Sequence, residues 1–438
     1  MTDQIKQDQT ETSEKVDGVH TGEARPAIPG MDQEGEKLSP ELSTDDTLRA
    51  RKSDNAGQTD SQVMHSRAER PWSFDVADFA LPNGREEEWR FTPIKKIASL
   101  FEDAATDVVD GKPAFSVSFD GPESWLAGTL NKGEAPRDTV LRPADRAAVV
   151  GSANAPEAMH VLVPENEERQ EPVTVRVEGH DASARSNNHV VIEAGANSHS
   201  TVVLEHTGSS RHNGNVEIIV RQGASLTVVS LQRWNDDALH VGQHDAEVGK
   251  DAHYKHINVT LGGSIVRLNS NVRFSAEGGN AQLFGLYFAD SGQHLEHRSF
   301  VDHNAPRNTS NVLYKGTLQG EDAHTVWVGD VLIQKAAEGT DSYEKNQNLV
   351  LTDGARADSV PNLEIETGII EGAGHASTTG QLDGEHLWYL MARGIPEKQA
   401  RRLVVRGFLY EIIQQIRVPE LEDSLMDALE DELAISDN

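Results

Sequence analysis

The chain has 438 residues and a formal net charge of -31 at pH 7, which argues against direct binding to nucleic acid or to an anionic membrane. It contains no cysteine, so disulfides, thiol nucleophiles and thiolate metal ligands are all excluded. Because it has neither a long apolar run nor an apolar signal core, we expect a soluble, cytoplasmic protein of two or three domains.

Residues 1–70 are predicted to form a disordered acidic tail. The segment is rich in Asp, Glu, Gln, Ser, Thr and Gly and contains no Phe, Trp or Tyr. Such a composition cannot bury enough apolar surface to offset the entropy cost of ordering the chain. We interpret the tail as a solubilising extension, with recruitment of a partner as the alternative.

Order is predicted to begin near Pro71, in a small α/β N-terminal domain that extends to residue 165. Its most distinctive stretch is GREEEWRFTPI at residues 84–94, which is dense in charge. This stretch is predicted to form a short helix or turn that packs Trp89 and Phe91 inward. The rest of the domain mixes short helical and extended signals without a strong period.

The pattern changes between residues 166 and 375, where short β-branched runs flank glycines. Gly195, Gly223, Gly249 and Gly279 recur roughly every 26 to 30 residues, each between strand-like runs. A period of this length without intervening helices favours a parallel β-solenoid, in which each coil buries its face against its neighbours. An antiparallel sandwich or jelly roll also uses short strands with glycine turns, and the uneven period leaves that fold open.

Residues 376–418 are predicted to form a C-terminal helical domain with two helices. Asp383 is a good N-cap for the first helix, since its carboxylate can accept from the free N–H groups of the next turn. That helix is predicted to run from about Gly384 to Gly394, a residue type that favours a helix C-terminus. The second helix is predicted to begin at Pro396, where a missing N–H costs nothing.

The second helix is predicted to have an apolar side and a basic side. The apolar side comprises Ala400, Leu403, Val404, Gly407, Leu409, Ile412, Ile413 and Ile416. The basic side comprises Lys398, Arg401, Arg402 and Arg406. Such a helix would pack on its parent domain and present charge to a partner.

The last segment, residues 419–438, is acidic and contains no basic residue. Four leucines recur in it at helical spacing, namely Leu421, Leu425, Leu429 and Leu433. The segment is therefore predicted to be either an acidic amphipathic helix or a frayed tail.

Histidine is the residue type that raises the question of metal binding. His253 and His256, like His294 and His297, are three residues apart, which on a strand places the two rings on opposite faces. Neither pair is therefore expected to chelate an ion. His375 is predicted to lie in a turn among small residues, and a neutral imidazole suits Fe²⁺. Considered alone, it is nevertheless best interpreted as a structural histidine.

The stretch GHASTTGQLDGEHLWYLMARGIPEKQARRLVVRGF at residues 374–408 resembles the C-terminal signature of the SufB/SufD family of iron–sulfur cluster assembly proteins. The shared pattern is a His before a small-residue and Thr-rich turn, an acidic helix start, a Tyr-Leu pair and Arg-Gly-Ile. The stretch EWRFTP at residues 88–93 resembles an N-terminal motif of the SufD branch. With further similarity at residues 283–366, the resemblance covers most of residues 71–418.

The resemblance implies a right-handed parallel β-helix core, which favours the solenoid over the sandwich. It also implies a non-catalytic scaffold subunit that pairs with a SufB-like subunit and docks a SufC-like ATPase on the helical domain. A homodimer is the alternative to the heterodimer. The chain itself lacks a Walker A motif and is not expected to hydrolyse ATP.

Within such an assembly, a transient iron–sulfur cluster would form at the subunit interface, with His375 as the ligand candidate of this chain. Some SufD proteins carry a cysteine two residues before this histidine, whereas this chain has Ala373. The basic residues Lys398, Arg401, Arg402 and Arg406 would contact the ATPase.

Two other classes of protein fit parts of the sequence. A carbohydrate-active β-helix enzyme would need grouped carboxylates and aromatic platforms for sugars, yet aromatic residues make up only 5% of the chain. A cupin-like metal enzyme would need several histidines and a carboxylate converging in one barrel.

Overall fold

The computed structural model describes residues 69–382 and 384–435. Most of the predicted N-terminal tail and the predicted cap Asp383 lie outside the described residues. The strands are β1 (Val108–Val109), β2 (Lys112–Pro113), β3 (Phe115–Asp120), β4 (Leu126–Asn131), β5 (Glu157–Val163), β6 (Val173–Ala194), β7 (His199–Val220), β8 (Ser225–Trp234), β9 (Leu239–Val248), β10 (His253–Thr260), β11 (Ile265–Phe274), β12 (Asn280–Ala289), β13 (His294–His303), β14 (Thr309–Leu318), β15 (His324–Ile333), β16 (Thr340–Val350), β17 (Arg356–Ile365) and β18 (Ile370–Gln381). The α-helices are α1 (Arg146–Asn154), α2 (Gly384–Ala392), α3 (Glu397–Ile413) and α4 (Pro419–Ile435).

From β7 onward the chain alternates between two parallel sheets. Strands β8, β10, β12, β14, β16 and β18 form the even sheet, and β9, β11, β13, β15 and β17 form the odd sheet. The long strand β7 pairs with β8 through its first half and with β9 through its second half. Each pair of strands is therefore one coil of a flattened parallel β-solenoid, with a lumen between the two sheets.

The register confirms the period expected from the glycine spacing. His199 lies beside Ser225, Ser225 beside His253, and His253 beside Asn280. Every pairing within the two sheets is parallel, which excludes the antiparallel sandwich and the jelly-roll barrel that a cupin would require. The fold is the predicted parallel β-solenoid.

The lumen is lined by ladders of side chains that are stacked in register. One ladder on the even sheet begins with Val202 and Val228, continues through His256 and Leu283, and reaches Val312, all of them buried. Apolar side chains dominate these ladders, because each coil removes the apolar surface of the previous coil from water.

Helices α3 and α4 cover the outer face of the even sheet. Val405, Leu409 and Ile412 of α3 belong to one apolar cluster with outward residues of the sheet such as Val229 and Ile257. The helix is therefore held to the solenoid by its apolar stripe, as the sequence predicts for such a helix.

The orientation of that stripe differs from the prediction. Val405 is buried, whereas Leu403 is 48% exposed and Gly407 is also exposed. Apolar residues extend around more than half of α3, so periodicity alone does not determine which of them face the sheet. The first helix begins as predicted, since α2 starts at Gly384 and is followed by Gly394 with a positive φ of 89°. Residues 376–381, which were predicted to open the helical domain, belong instead to β18.

The acidic C-terminal segment forms helix α4, so the amphipathic-helix alternative is correct. Leu425, Leu429 and Leu433 are buried in the same cluster as α3. Arg406 of α3 forms an ion pair with Glu430 of α4, with nitrogen and oxygen 3.5 Å apart. None of the helices that the structure describes is long and apolar enough to cross a membrane.

Parts of residues 69–154, which we call the N-terminal segment, cover the outer face of the odd sheet. Trp89, Ile97 and Leu100 form a cluster with Val241 and Ile265 of the solenoid, so the apolar core here is shared between the two regions. Trp89 is buried as predicted, but Phe91 is only half-buried and lies under the guanidinium of Arg90.

Outward polar side chains of the odd sheet bind the backbone of this segment. The carboxylate of Glu217 accepts hydrogen bonds from the amides of Asp138, Val140 and Leu141 at 2.6–2.9 Å. Asn215 donates from its amide to the carbonyl oxygen of Ala148 in α1 at 2.8 Å. These bonds satisfy backbone groups that a loop lying over a sheet would otherwise bury without partners.

The stretch EWRFTP is anchored on Arg267, a fully buried residue of β11. The guanidinium lies 2.6 Å from Glu88 and 3.9 Å from the centroid of the Trp89 ring. It also contacts Asp145 at 2.8 Å and Glu296 at 3.2 Å. This motif therefore fastens the N-terminal segment to the solenoid.

Candidate functional site

The solenoid ends in two strands that each have a neighbour on one side only. These are β17, the last strand of the odd sheet, and β18, the last strand of the even sheet. Their residues are half-buried or exposed, in contrast to the buried strands of the earlier coils. Free edges of this kind present backbone N–H and C=O groups to which another chain can add a strand.

His375 lies in the middle of β18 and not in the turn that the sequence predicted. The run of small residues and threonines around it looks like a turn in isolation. In the fold, its backbone pairs in parallel register with β16, which places His375 beside Glu344. Stacking on the previous coil therefore imposes the extended conformation.

His375 is the last member of the lumen ladder that begins at Val202. The ladder passes from Val312 to Glu344 and ends at His375, because no coil follows β18. The His375 side chain is 43% exposed, whereas the Glu344 side chain beneath it is fully buried. The imidazole therefore stands at the open end of the solenoid.

The carboxylate of Glu344 lies behind the imidazole of His375 at an ion-pair distance. Nδ1 of His375 lies 3.8 Å from Oε1 of Glu344. Metal-binding histidines commonly donate their other ring N–H to a carboxylate, and here the separation is longer than such a hydrogen bond. This arrangement suits His375 as a nitrogen donor to an ion that arrives from outside the solenoid.

The histidine pairs do not converge, as expected from the period of a strand. His256 points into the lumen and is buried, whereas His253 is exposed. His297 is also in the lumen, where its ring stacks on Tyr287 with centroids 4.9 Å apart. His294 lies on the outer face, with Nε2 3.2 Å from Glu296.

Three other histidines do converge, and sequence reasoning missed them. His206, His212 and His240 are buried together in the lumen. His212 and His240 are register neighbours on β7 and β9. Their separation by one coil of the solenoid is the signal that could have brought them together from the sequence.

Helices α2 and α3 present an exposed apolar surface beside the predicted basic residues. Trp388 is 70% exposed and Tyr389 is 54% exposed, and we define the aromatic patch as Trp388, Tyr389, Met391, Leu403 and Tyr410, all of them exposed. Exposed apolar groups of this size commonly mark interaction sites. The sequence pattern pointed to the basic side of α3 and did not identify these aromatic residues.

The four predicted basic residues are partly engaged within the helical region. Arg401 pairs with Glu397 one turn earlier at 3.4 Å, and Arg406 pairs with Glu430. Arg402 is half-buried. Lys398 and Arg401 are exposed in the first turns of α3.

These features define a β-solenoid protein with an open, histidine-bearing end and a helical appendix. The domain described as "SUF system FeS cluster assembly, SufBD core domain" matches residues 176–408. An iron–sulfur cluster assembly SufBD family protein of Mycobacterium bovis is 47% identical over 382 residues, covering 86% of this chain and 95% of that protein. One from Mycobacterium leprae is 49% identical over 373 residues, covering 84% and 94% of the two chains. A third, from Synechocystis, is 30% identical over 209 residues, covering 48% and 46%.

The chain therefore belongs to the SufBD family of iron–sulfur cluster assembly proteins.

Proposed function

We propose that this protein is a SufD-type scaffold subunit, which pairs with a SufB-like subunit and docks a SufC-like ATPase. The observation that carries the proposal is the open end of the solenoid, where an exposed imidazole terminates a buried lumen ladder. A second subunit placed against this end would enclose His375 in the interface. A cluster assembled there as cargo would receive one nitrogen ligand from this chain.

The edge of β18 is the better of the two edges for pairing with another solenoid. Strand β17 contains Pro361 near its middle, and proline removes a backbone donor. Strand β18 runs over twelve residues without a proline and holds His375 near its centre. We therefore assign the subunit interface to β18.

Replacing Ser377 and Thr379 of β18 by aspartate is expected to weaken pairing with the SufB-like subunit by at least about tenfold. Both residues are exposed in this chain, and an interface would bury the introduced carboxylates. The measurement is the dissociation constant of the subunit pair by calorimetry.

The matched control for this test adds two carboxylates at the opposite end of the solenoid. Gln170→Glu and Gln222→Glu change exposed residues and introduce the same extra charge. Wild-type affinity in the Ser377→Asp/Thr379→Asp variant, or equal weakening in the control, would exclude β18 as the interface.

The aromatic patch on α2 and α3 is proposed as the ATPase docking surface, with Lys398 and Arg401 at its rim. Trp388→Ala is expected to cost about 2 kcal/mol or more of binding free energy, because exposed tryptophans are frequent interface anchors. Lys398→Glu with Arg401→Glu should mainly slow association, since rim charges steer encounter.

Surface plasmon resonance of the ATPase on the immobilised protein separates these effects into association and dissociation rates. Arg176→Glu is the charge control, because Arg176 is an exposed residue of β6 that is distant in sequence from α2 and α3. Circular dichroism should be unchanged in all variants. Unaltered binding after deletion of residues 384–418 would show that the ATPase docks elsewhere.

A further inference from the structure

The lumen of the solenoid contains a compact group of three imidazoles. His206 and His212 are on β7, His240 is on β9, and each is at most 2% exposed. The ring centroids are 4.9–5.7 Å apart, and the indole of Trp234 lies within 5.6 Å of all three. One ring nitrogen of each histidine lies within 4.8 Å of the others.

The hydrogen bonds of Gln232 fix the tautomer of His240. The side-chain amide of Gln232 donates to the hydroxyl of Ser230 at 3.0 Å, so its carbonyl oxygen faces the indole of Trp234 and Nδ1 of His240. That oxygen is 2.9 Å from Nδ1 and can only accept. The indole N–H of Trp234 lies 3.0 Å from the same oxygen and 3.2 Å from Nδ1, and we assign its one hydrogen to the nearer oxygen. Nδ1 of His240 therefore carries the proton, and Nε2 carries the lone pair.

A chain of hydroxyl groups fixes the tautomer of His212 in the same way. Ser210 donates to the carbonyl oxygen of Ala184, so the contact of 2.8 Å between Ser186 and Ser210 places the donor on Ser186. The oxygen of Ser186 then accepts from Nδ1 of His212 at 2.7 Å. In His212, as in His240, Nδ1 therefore carries the proton and Nε2 carries the lone pair.

The two lone pairs converge on the empty space beside Gly214. Within the described residues, neither His212 Nε2 nor His240 Nε2 has a hydrogen-bond partner. A Cβ atom on Gly214 would lie 2.9 Å from the first nitrogen and 3.1 Å from the second. Buried acceptors are normally satisfied, so two orphaned lone pairs facing one position call for a shared partner, either a metal ion or a water that donates to both.

We propose that the lumen binds a divalent first-row transition-metal ion through Nε2 of His212 and Nε2 of His240. His206 lies beside them, but its Nδ1 accepts a hydrogen bond from the Gln232 amide at 3.2 Å, so it becomes a third ligand only if that bond breaks. The supporting bonds from Nδ1 to Gln232 and Ser186 are the kind that orient metal-binding histidines. Imidazole ligands without a thiolate or carboxylate suit Zn²⁺, Co²⁺ or Fe²⁺ better than Mg²⁺ or Ca²⁺.

The protonation state of the group favours metal binding at neutral pH. Burial lowers the pKa of His212 to about 3 and holds those of His206 and His240 well below the usual range for histidine. The imidazoles are therefore neutral, and an incoming ion does not have to displace protons from them. This site is separate from His375, so the proposal can be tested independently of the proposed scaffold function.

The test begins with the full-length protein, unfolded in denaturant with a chelator and refolded with one of three probes: Zn²⁺, Co²⁺ or anaerobic Fe²⁺. After dialysis we expect one equivalent of bound metal by mass spectrometry and a higher thermal midpoint than without metal. Co²⁺ should give visible d–d bands, and X-ray absorption of the Zn²⁺ form should show imidazole scattering at about 2.0 Å. Absence of bound metal after refolding with all three ions would overturn the proposal.

Variants then localise the ion. His212→Gln with His240→Gln is expected to abolish binding, while His297→Gln, elsewhere in the lumen, and His375→Ala should each retain one equivalent. Gly214→Ala keeps all three imidazoles but fills the space between them, so affinity should fall at least tenfold even if the double variant fails to fold. Wild-type affinity in Gly214→Ala, or metal lost only in His375→Ala, would place the ion elsewhere and overturn the assignment.

Discussion

Arg267→Met is expected to lower the free energy of unfolding by about 3–5 kcal/mol, because it leaves buried carboxylates without their cation. The guanidinium contacts Asp145 and Glu296, both fully or almost fully buried, and also Glu88. Methionine fills a similar volume but has no charge and no hydrogen-bond donor. The variant therefore tests the electrostatic anchoring of the N-terminal segment and not the packing of the site.

Urea denaturation followed by fluorescence measures this effect. Arg176→Met is the matched control, since Arg176 is half-exposed and pairs with Glu205 at 2.8 Å on the solenoid surface. An exposed pair of this kind contributes only about 0–1 kcal/mol. Equal losses in the two variants would contradict the anchoring role. Adding Glu296→Gln to Arg267→Met should recover part of the loss, because it removes one of the unpaired charges.

The cost of Arg267→Met is expected to shrink in acid. Burial alone raises the pKa of Glu296, but the charge of Arg267, a hydrogen bond from His294 and the charge of Arg298 together lower it below its usual range. In the wild type this lowered pKa contributes stability above the unfolded value of 4.5, and the contribution is lost as pH falls below it. The variant lacks the main stabilising charge and therefore most of this contribution, so the two urea midpoints should approach each other as pH falls below about 4.5. A constant difference would contradict this.

The architecture of the solenoid could be predicted because its signal is repeated. Glycines such as Gly195 and Gly223 recur with the length of one coil, and each coil contributes the same pattern of β-branched runs. Helix boundaries near Gly384 and Gly394 were also correct, because capping residues act through local backbone geometry. Local and repeated signals of this kind can be recognised in a single sequence.

Properties that depend on stacking could not be predicted in the same way. His375 was expected in a turn, yet pairing with β16 makes it extended and places it above Glu344. His212 and His240 meet because successive coils lie in register, and His206 reaches them from the other half of β7, so their spacing becomes informative only once the register of the solenoid is known. The side of α3 that faces the sheet was likewise decided by tertiary packing, which buries Val405 and exposes Leu403.

His375→Ala is expected to reduce cluster loading of the reconstituted complex sharply while leaving the subunit stable. The imidazole is 43% exposed and packs against few groups, so the free energy of unfolding should change by no more than about 1 kcal/mol. The loss of loading follows because the chain has no cysteine, and its contribution to a cluster must come from nitrogen or oxygen. The proposed donor is His375, whose imidazole is exposed at the open end of the solenoid.

The measurement is the iron and sulfide content of the complex with the SufB-like subunit and the ATPase, together with the thermal midpoint of the isolated chain. His253→Ala, which removes another exposed histidine of the even sheet, is the control and should load normally. His375→Cys should retain part of the loading, since a thiolate also binds iron. Full loading of His375→Ala would exclude the ligand role, whereas reduced loading with a collapsed midpoint would show that the histidine acts through the fold.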